Sequence, residues 1–530
     1  MFERIKNLIK KEWWFVAALL VYSFFVLYKF FAQGLVNWDE SYFMIPISTY
    51  GDFLRTLFSH PSWLLEPSYY REIMAQHGNV YTVAKPSFIL AGVLVNFIWH
   101  NEFSSRLISF LAGLGVLFLF RRILDFYSFS RFAKMASVWL LAFSPLFILF
   151  GRLGLAPMFS AFFLFLMFYE LLSFQKTERW RDLSIFSVAA AFAIMSHYSL
   201  LSVIGVFFLY AIYLLWAKKS SWLKYGGLIS AFLVPILGWE LITRVGVWLA
   251  ESRHFISTSG TWGIYSHFQE FAKQMVIARN ENTAFPLGWH SYYFDLLARE
   301  EGWIILFLIL VGLAIFVFRA RQFRFQAALV PPLIFLIILS AVNLKFPRTM
   351  MPVFPFLFVW LAAALDFTHG WLEKKIGAKG WIFLIILLLS AVFLNLPQYK
   401  IILNLRTGFH EAAKYIQLSY KPQDTLVLSS VAPAWRLYLK GYKVEDLNRP
   451  EEWTDLMATR KVIVISDQFT KIIKKEDYPL SYPADKVFET ASNVFLSRPV
   501  IMDVIFLKAS DFKKMFNDNK DFHLKIYEIK

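Results

Sequence analysis

The chain has 530 residues, of which 58% are hydrophobic and only 17% charged, and it carries a formal net charge of +16. An ordinary soluble domain has roughly 25% charged residues, and this composition cannot clothe a whole chain in a polar surface. It excludes a disordered, fibrous or simple cytosolic protein and leaves a polytopic α-helical membrane protein. Cysteine is absent, which removes disulfides and thiolate chemistry.

The first apolar run, 13–31, follows Arg4, Lys6, Lys10 and Lys11 and has no small-residue cleavage site behind it. It reads as a retained span rather than a removed signal peptide. A long loop, 32–103, comes next and ends in the apolar segment Pro86–His100, too short for a crossing and suited to an interfacial or re-entrant helix. Further spans are expected at 104–120, 132–150, 154–173, 183–196, 198–216, 225–243, 303–319, 326–342, 349–366 and 380–394. The basic clusters fall at Arg4–Lys11, Arg121–Lys134, Lys176–Arg181, Lys218–Lys224, Arg319–Arg324 and Lys374–Lys379. Eleven alternating spans starting from a cytoplasmic N terminus put all six clusters in the cytosol, the positive-inside pattern. Counting Pro86–His100 as a crossing would reverse every later loop, unless a weak run elsewhere, such as 183–196, does not cross. The charge is therefore orientation, and the chain is expected to be multi-pass in the plasma (inner) membrane, without a nucleic-acid partner.

The outer side then receives loops 32–103 and 250–302 and a tail, 395–530, of changed composition. In the tail, Thr425–Ser429, Lys461–Ser466 and Ile501–Leu507 read as strands and Gly408–Ser419 as a helix. The division expected is a membrane domain, 1–394, and a small C-terminal extracytoplasmic α/β domain, 395–530.

Seven charged or titratable residues gather on that outer side. Asn37-Trp38-Asp39-Glu40-Ser41-Tyr42-Phe43 opens the first loop. Asp39 could cap the following helix with Glu40 in its first turn, or one carboxylate could face a cleft as a general base. Lys85, before Pro86, could snorkel to headgroups or neutralise the phosphate of a lipid-linked substrate. Arg152 lies in the turn Phe150–Pro157, where the positive-inside pattern does not favour arginine. His197 sits between two spans with almost no loop. Lys345 and Arg348 form a basic pair in a short turn. Converging charges at a bilayer boundary fit a site for an anionic lipid headgroup. No metal site is read: the ten histidines are scattered, and neither His-Glu-x-x-His nor Asp-x-Asp occurs. No cofactor is implied, and no phosphate loop of the GxxxxGK[ST] type is present.

The order of these motifs resembles a known family. An Asp-Glu pair follows the first span, Lys-Pro ends the long loop, and an arginine-containing turn ends in proline. A Lys/Arg–Pro turn precedes the late proline-rich segment Met350-Met351-Pro352-Val353-Phe354-Pro355. Over about residues 1–366 this resembles the polyprenyl-phosphate-sugar glycosyltransferases of the GT-C fold, the protein O-mannosyltransferase and lipid A aminoarabinose transferase group. The resemblance implies a GT-C-like membrane domain of about 11–13 transmembrane helices, a length class set by the ~20-residue bilayer crossing. It places Asp39 at the catalytic acid position, Glu40 beside it, and Lys85 at the phosphate contact. Phe43 stands where tyrosine is usual, and His197 where many relatives have lysine. Ala84 replaces an acid found before that lysine in aminoarabinose transferases, which argues against that sugar. Ala156 replaces a commonly present second acid, which bears on donor class and metal use.

The reaction so implied is inverting transfer of a sugar from a polyprenyl-phosphate donor to a hydroxyl of a glycan, lipid or protein acceptor on the outer side. Asp39 would be the base, with Lys85, Arg348, Arg152, His197 and Lys345 around the donor phosphate. Alternatives are a ligase for lipid-linked glycans, a transporter, or a non-catalytic membrane scaffold. A transporter is disfavoured because neither paired inverted repeats nor mid-span charges are visible.

Overall fold

The computed structural model describes residues 12–66, 85–99, 103–252, 291–341, 346–377, 380–474, 476, 478–501, 518–519 and 522–530. α1 (Trp13–Leu27) leads to α2 (Trp38–Ser59) and α3 (Pro86–Ile98). α4 (Ser104–Ile123), the bent pair α5 (Arg131–Phe143) and α6 (Pro145–Arg152), α7 (Ala156–Thr177), α8 (Trp180–Ser196), α9 (Leu201–Ala217) and α10 (Trp222–Ser252) follow. Next come α11 (Tyr292–Glu300), α12 (Trp303–Phe318), α13 (Phe323–Ala341), α14 (Phe354–Ile376) and α15 (Gly380–Leu394). The tail adds α16 (Leu396–Leu403), α17 (Phe409–Ser419), β1 (Thr425–Ser429), α18 (Ala432–Tyr438), β2 (Lys443–Asp446), β3 (Lys461–Ser466), α19 (Gln468–Lys474), β4 (Ala484–Ala491) and β5 (His523–Ile529).

Among the described residues, seven helices are long and apolar enough to cross a membrane, or up to nine if each of two bent pairs is one span. α8, with 17 residues, and α12, with 16, occupy the two remaining expected positions. α3 has only 13 residues, short of a crossing as its sequence implies. The 51° bend between α5 and α6 falls at Ser144-Pro145, where proline removes an N–H donor and pushes the preceding residue out of the helical region. The Glu301 carboxyl repairs that break, its Oε1 accepting from the Ser144 hydroxyl at 2.7 Å and the Leu146 amide at 3.0 Å.

Lipid gives little hydrophobic drive between helices, so packing holds them together. The phenylalanine excess supplies it: Phe356 of α14 lies 4.6 Å from Phe165, 5.0 Å from Phe168 and 6.1 Å from Phe207, centroid to centroid. Gly312 lets α12 press onto α14, since a Cβ there would meet the Trp360 carbonyl oxygen at 1.9 Å.

Bonds between helix ends sort the membrane part into two faces. Arg121 meets Glu12 at 2.9 Å, Lys218 meets Glu178 at 2.6 Å, and Arg324 donates to the Phe126 carbonyl at 2.6 Å. The opposite ends are joined by Glu40–Arg106, Ser160–Ser196 and Tyr293–Thr349. The basic clusters with described residues thus share one face and Asp39 lies on the other.

The tail builds one five-stranded sheet in the order β2-β1-β3-β5-β4, parallel among β1, β2 and β3 and antiparallel on both sides of β5. β1, β3 and α17 stand where the sequence puts them, and β2, β4 and β5 are strands beyond those expected. The strand expected at Ile501–Leu507 is not borne out at its start, because Ile501 closes the short helical turn Arg498–Ile501, and 502–507 lie outside the described residues. The sheet's domain rests on the Asp39 face. Thr407 donates to the Gln33 carbonyl at 3.2 Å and Gln468 to the Leu35 carbonyl at 3.3 Å, gripping the strap that enters α2. Gly34 permits this approach, having φ +68° and room for no Cβ beside the Thr407 hydroxyl, 2.3 Å away.

Candidate active site

α2 begins with a full capping box: Asn37 caps it, accepting from the Asp39 amide at 2.8 Å, and Glu40 returns to the Asn37 amide at 3.2 Å. Asn37, and not Asp39, is therefore the cap. That geometry separates the two acids. Glu40 turns inward and is completely buried. Its carboxylate accepts from the Val36 amide at 2.9 Å, the Gly154 amide at 2.7 Å, and Arg106 Nε and Nη2 at 2.8 and 3.1 Å. Arg106 is equally buried and also donates to the Phe30 and Gly34 carbonyls. A bidentate pair this well supplied with partners can hold two charges inside a protein. Glu40, read above as a catalytic candidate, is a structural clasp joining the first loop, α4 and the turn before α7.

Asp39 points the other way. Its side chain keeps 29% of its surface, and Oδ2 accepts from Arg348 Nη1. Arg348 lies over the Phe346 ring at 4.8 Å. Lys85 sits at the N-cap of α3 with φ +72° and ψ +58°. That left-handed conformation is uncommon for a lysine and strained directly before proline; such strain gathers at functional sites. Its ammonium lies 5.0 Å from the centre of the Phe43 ring, so the phenylalanine that replaces a tyrosine offers Lys85 a π face. His197 caps the end of α8, buried, with Nδ1 2.6 Å from the Ser199 hydroxyl. Burial first, then the charges of Lys85 and Arg348, hold its imidazole well below the ordinary histidine range. His197 is thus neutral and can offer hydrogen bonding but no charge.

The structure therefore brings Asp39, Lys85, His197 and Arg348 together and excludes Arg152 from the exposed set. Arg152 is fully buried, and its Nη1 donates to the Phe25 and Val26 carbonyls at 2.6 and 2.9 Å. The last turn of α1 leaves carbonyls without intrahelical partners, and in an apolar setting an arginine supplies them. Lys345 lies outside the described residues. Arg106 is the residue that sequence reasoning missed: it stands three positions into an apolar run, and its only signal was a charge there without a loop to hold it. Ala156 begins α7 and is buried. Among the described residues, no group of three or more His, Asp or Glu side chains could hold a metal ion.

The sequence profile of the dolichyl-phosphate-mannose-protein mannosyltransferases matches residues 86–239, from Lys85's proline to the middle of α10. The crystal structure of ArnT from Cupriavidus metallidurans in the apo state superposes with a TM-score of 0.53 at 14% identity, covering 86% of this chain and 93% of that one. ArnT bound to undecaprenyl phosphate gives a TM-score of 0.55 at 13% identity over 97% of both chains. The fold is GT-C. Both comparisons fall in the group the sequence resembles, and together they support a GT-C-fold glycosyltransferase, with the profile match beginning after Asp39, Glu40 and Lys85. At this identity the superposition speaks for the GT-C fold and not for a shared substrate. No curated protein matches the chain's sequence.

Proposed function

We propose that the protein transfers a sugar from a polyprenyl-phosphate donor to an acceptor hydroxyl at the Asp39 face, with inversion at the anomeric carbon. The observation that carries this reading is the split of the acid pair: Glu40 is sealed in a clasp, while Asp39 is left accessible among Lys85, His197 and Arg348. One partly exposed carboxylate near Lys85 and Arg348 suits a base working beside an anion. The undecaprenyl phosphate held by a GT-C relative supports a polyprenyl-phosphate-linked substrate.

In this reaction the acceptor O–H gives its proton to Asp39 as its oxygen bonds to the anomeric carbon. The bond from that carbon to the phosphate oxygen breaks on the opposite side, and the electron pair leaves with the polyprenyl phosphate. No acid is required for so good a leaving group, whereas a retaining two-carboxylate mechanism needs carboxyls ~5–5.5 Å apart, both free to react. Lys85 and Arg348 stabilise charge growing on the leaving phosphate. Arg348, already on Asp39, presents a planar fork that can bridge carboxylate and phosphate. The basic clusters on the opposite face support an orientation with that face in the cytosol and Asp39 outside.

The test is transfer from polyprenyl-phosphate sugars to membrane-extract acceptors by the reconstituted protein. Asp39→Asn should bind donor and fail to turn over; Lys85→Gln should lose donor affinity. Undiminished turnover by Asp39→Asn sinks the assignment, and turnover with no polyprenyl-phosphate donor present removes the donor class.

A further inference from the structure

The face opposite Asp39 carries a concavity that the reaction does not use. It is a cavity of about 660 Å³ between the end of α4, the turn after it, the end of α7 and the start of α13. Its charged lining is Arg122, Lys176, Arg324 and Asp125. Asp125 is already shared by Arg121 at 2.6 Å and Lys134 at 2.8 Å. Among the described residues, Arg122, Lys176 and Arg324 form no ion pair. Arg122 lies against the Phe118 ring, 5.4 Å from its centre. Arg324 is fixed in place by its bond to the Phe126 carbonyl and by Gln322, which accepts from Nε and Nη2 at 3.3 and 3.1 Å. Among the described residues the cavity thus has three cations against one carboxylate, and that carboxylate is engaged by Arg121 and Lys134. Phe126, Leu172 and Phe323 supply an apolar wall.

Loop arginines and lysines on this face need no explanation beyond orientation. A cavity is different, because a concave low-dielectric wall strengthens the field of the charges around it. An excess of cations over carboxylate beside an apolar wall fits a molecule with an anionic head and a hydrocarbon tail. Basic pockets between helices at this level of a bilayer bind lipid headgroups. We propose that this cavity is a binding site for the phosphate of an anionic phospholipid, with an acyl chain along the Phe126–Leu172–Phe323 wall. A zwitterionic lipid is disfavoured because its choline would enter a cationic cavity.

Native mass spectrometry of the full-length protein, titrated with phosphatidylglycerol or phosphatidylcholine, tests this. The wild-type protein should retain phosphatidylglycerol preferentially, and Arg122→Gln/Lys176→Gln/Arg324→Gln should weaken that retention at least tenfold. A Lys219→Gln/Arg321→Gln variant, changed on the same face outside the cavity, should retain it as before. Because Arg324 also holds the Phe126 carbonyl, Arg122→Gln/Lys176→Gln serves as a second variant with that bond intact, and a partial loss is expected from it. Equal retention by wild type and both cavity variants overturns the site. Equal retention of the two lipids overturns the anionic preference. Displacement of the lipid by an equal concentration of inorganic phosphate overturns the lipid assignment and gives the cavity to soluble phosphate.

Discussion

Replacing Glu40 with glutamine changes one atom and should unravel the entrance to α2. The carboxylate receives two amide N–H groups of the strap, the Gly154 amide and two N–H groups of Arg106. A glutamine keeps one acceptor oxygen, and its NH2 then faces donors wherever it is placed. Arg106, with no exposed surface, would keep its charge with no carboxylate beside it. Breaking a buried pair by removing one partner costs about 3–5 kcal/mol, a large share of a typical stability of about 5–15 kcal/mol. Asp39→Asn is the contrast, since the Asp39 side chain keeps 29% of its surface and asparagine still offers Arg348 an acceptor oxygen. Thermal unfolding of the purified protein and transfer assays, run on both variants, separate the roles. Glu40→Gln should unfold at clearly lower temperature and lose activity through loss of structure; Asp39→Asn should unfold as wild type and be inactive. Glu40→Gln/Arg106→Met, which removes both charges, should regain part of the stability. A Glu40→Gln variant as stable as wild type yet inactive would refute the clasp and return Glu40 to the chemistry.

Three further outcomes can be checked. Burial pushes the Glu301 carboxyl up to about 8 against the hydrogen bonds from Ser144 and Leu146; its folded pKa exceeds its unfolded one, so its stabilising share is full below about 4.5 and is lost as pH rises towards 8. Glu301→Gln keeps an acceptor for the α6 cap and should flatten that slope in thermal melts between those limits. His197 has the opposite sense: its folded pKa is depressed, so stability is present above the unfolded value of about 6.5 and falls as pH drops below it, and His197→Gln should remove that acid-side loss. Gly34→Ala places a methyl on the Thr407 hydroxyl at φ +68° and should free the tail from the strap, read as faster proteolysis of the tail with the membrane part still inserted.

Hydropathy and the spacing of basic clusters made the helices and their two faces legible, because a bilayer imposes one length and one polarity on every crossing. The convergence of Asp39, Lys85, His197 and Arg348 was legible for the same reason: few charges remain once orientation has claimed the rest. Direction within the face was not. Asp39 and Glu40 are adjacent, and only the Asn37 cap decides which one turns into the interior. Arg152 had the sidedness of a site residue, but the unsatisfied carbonyls of α1 lie far away in sequence and claim it first. β5 was not legible because what makes it a strand is its pairing with β3, at Ile463–Glu528 to Ser466–Lys525, far earlier in the chain.

The grip of the tail on the strap also fixes an order of assembly. Asp39 emerges among the first residues made, yet its strap is held by Thr407 and Gln468, and the sheet behind Gln468 has β5 between β3 and β4. The membrane helices can be inserted one after another during synthesis, while the strap waits for residues 523–529 to fill the sheet. Newly made chains should therefore pass through an inserted stage in which the strap before Asp39 is not yet held, a built-in delay between reaching the membrane and setting that face.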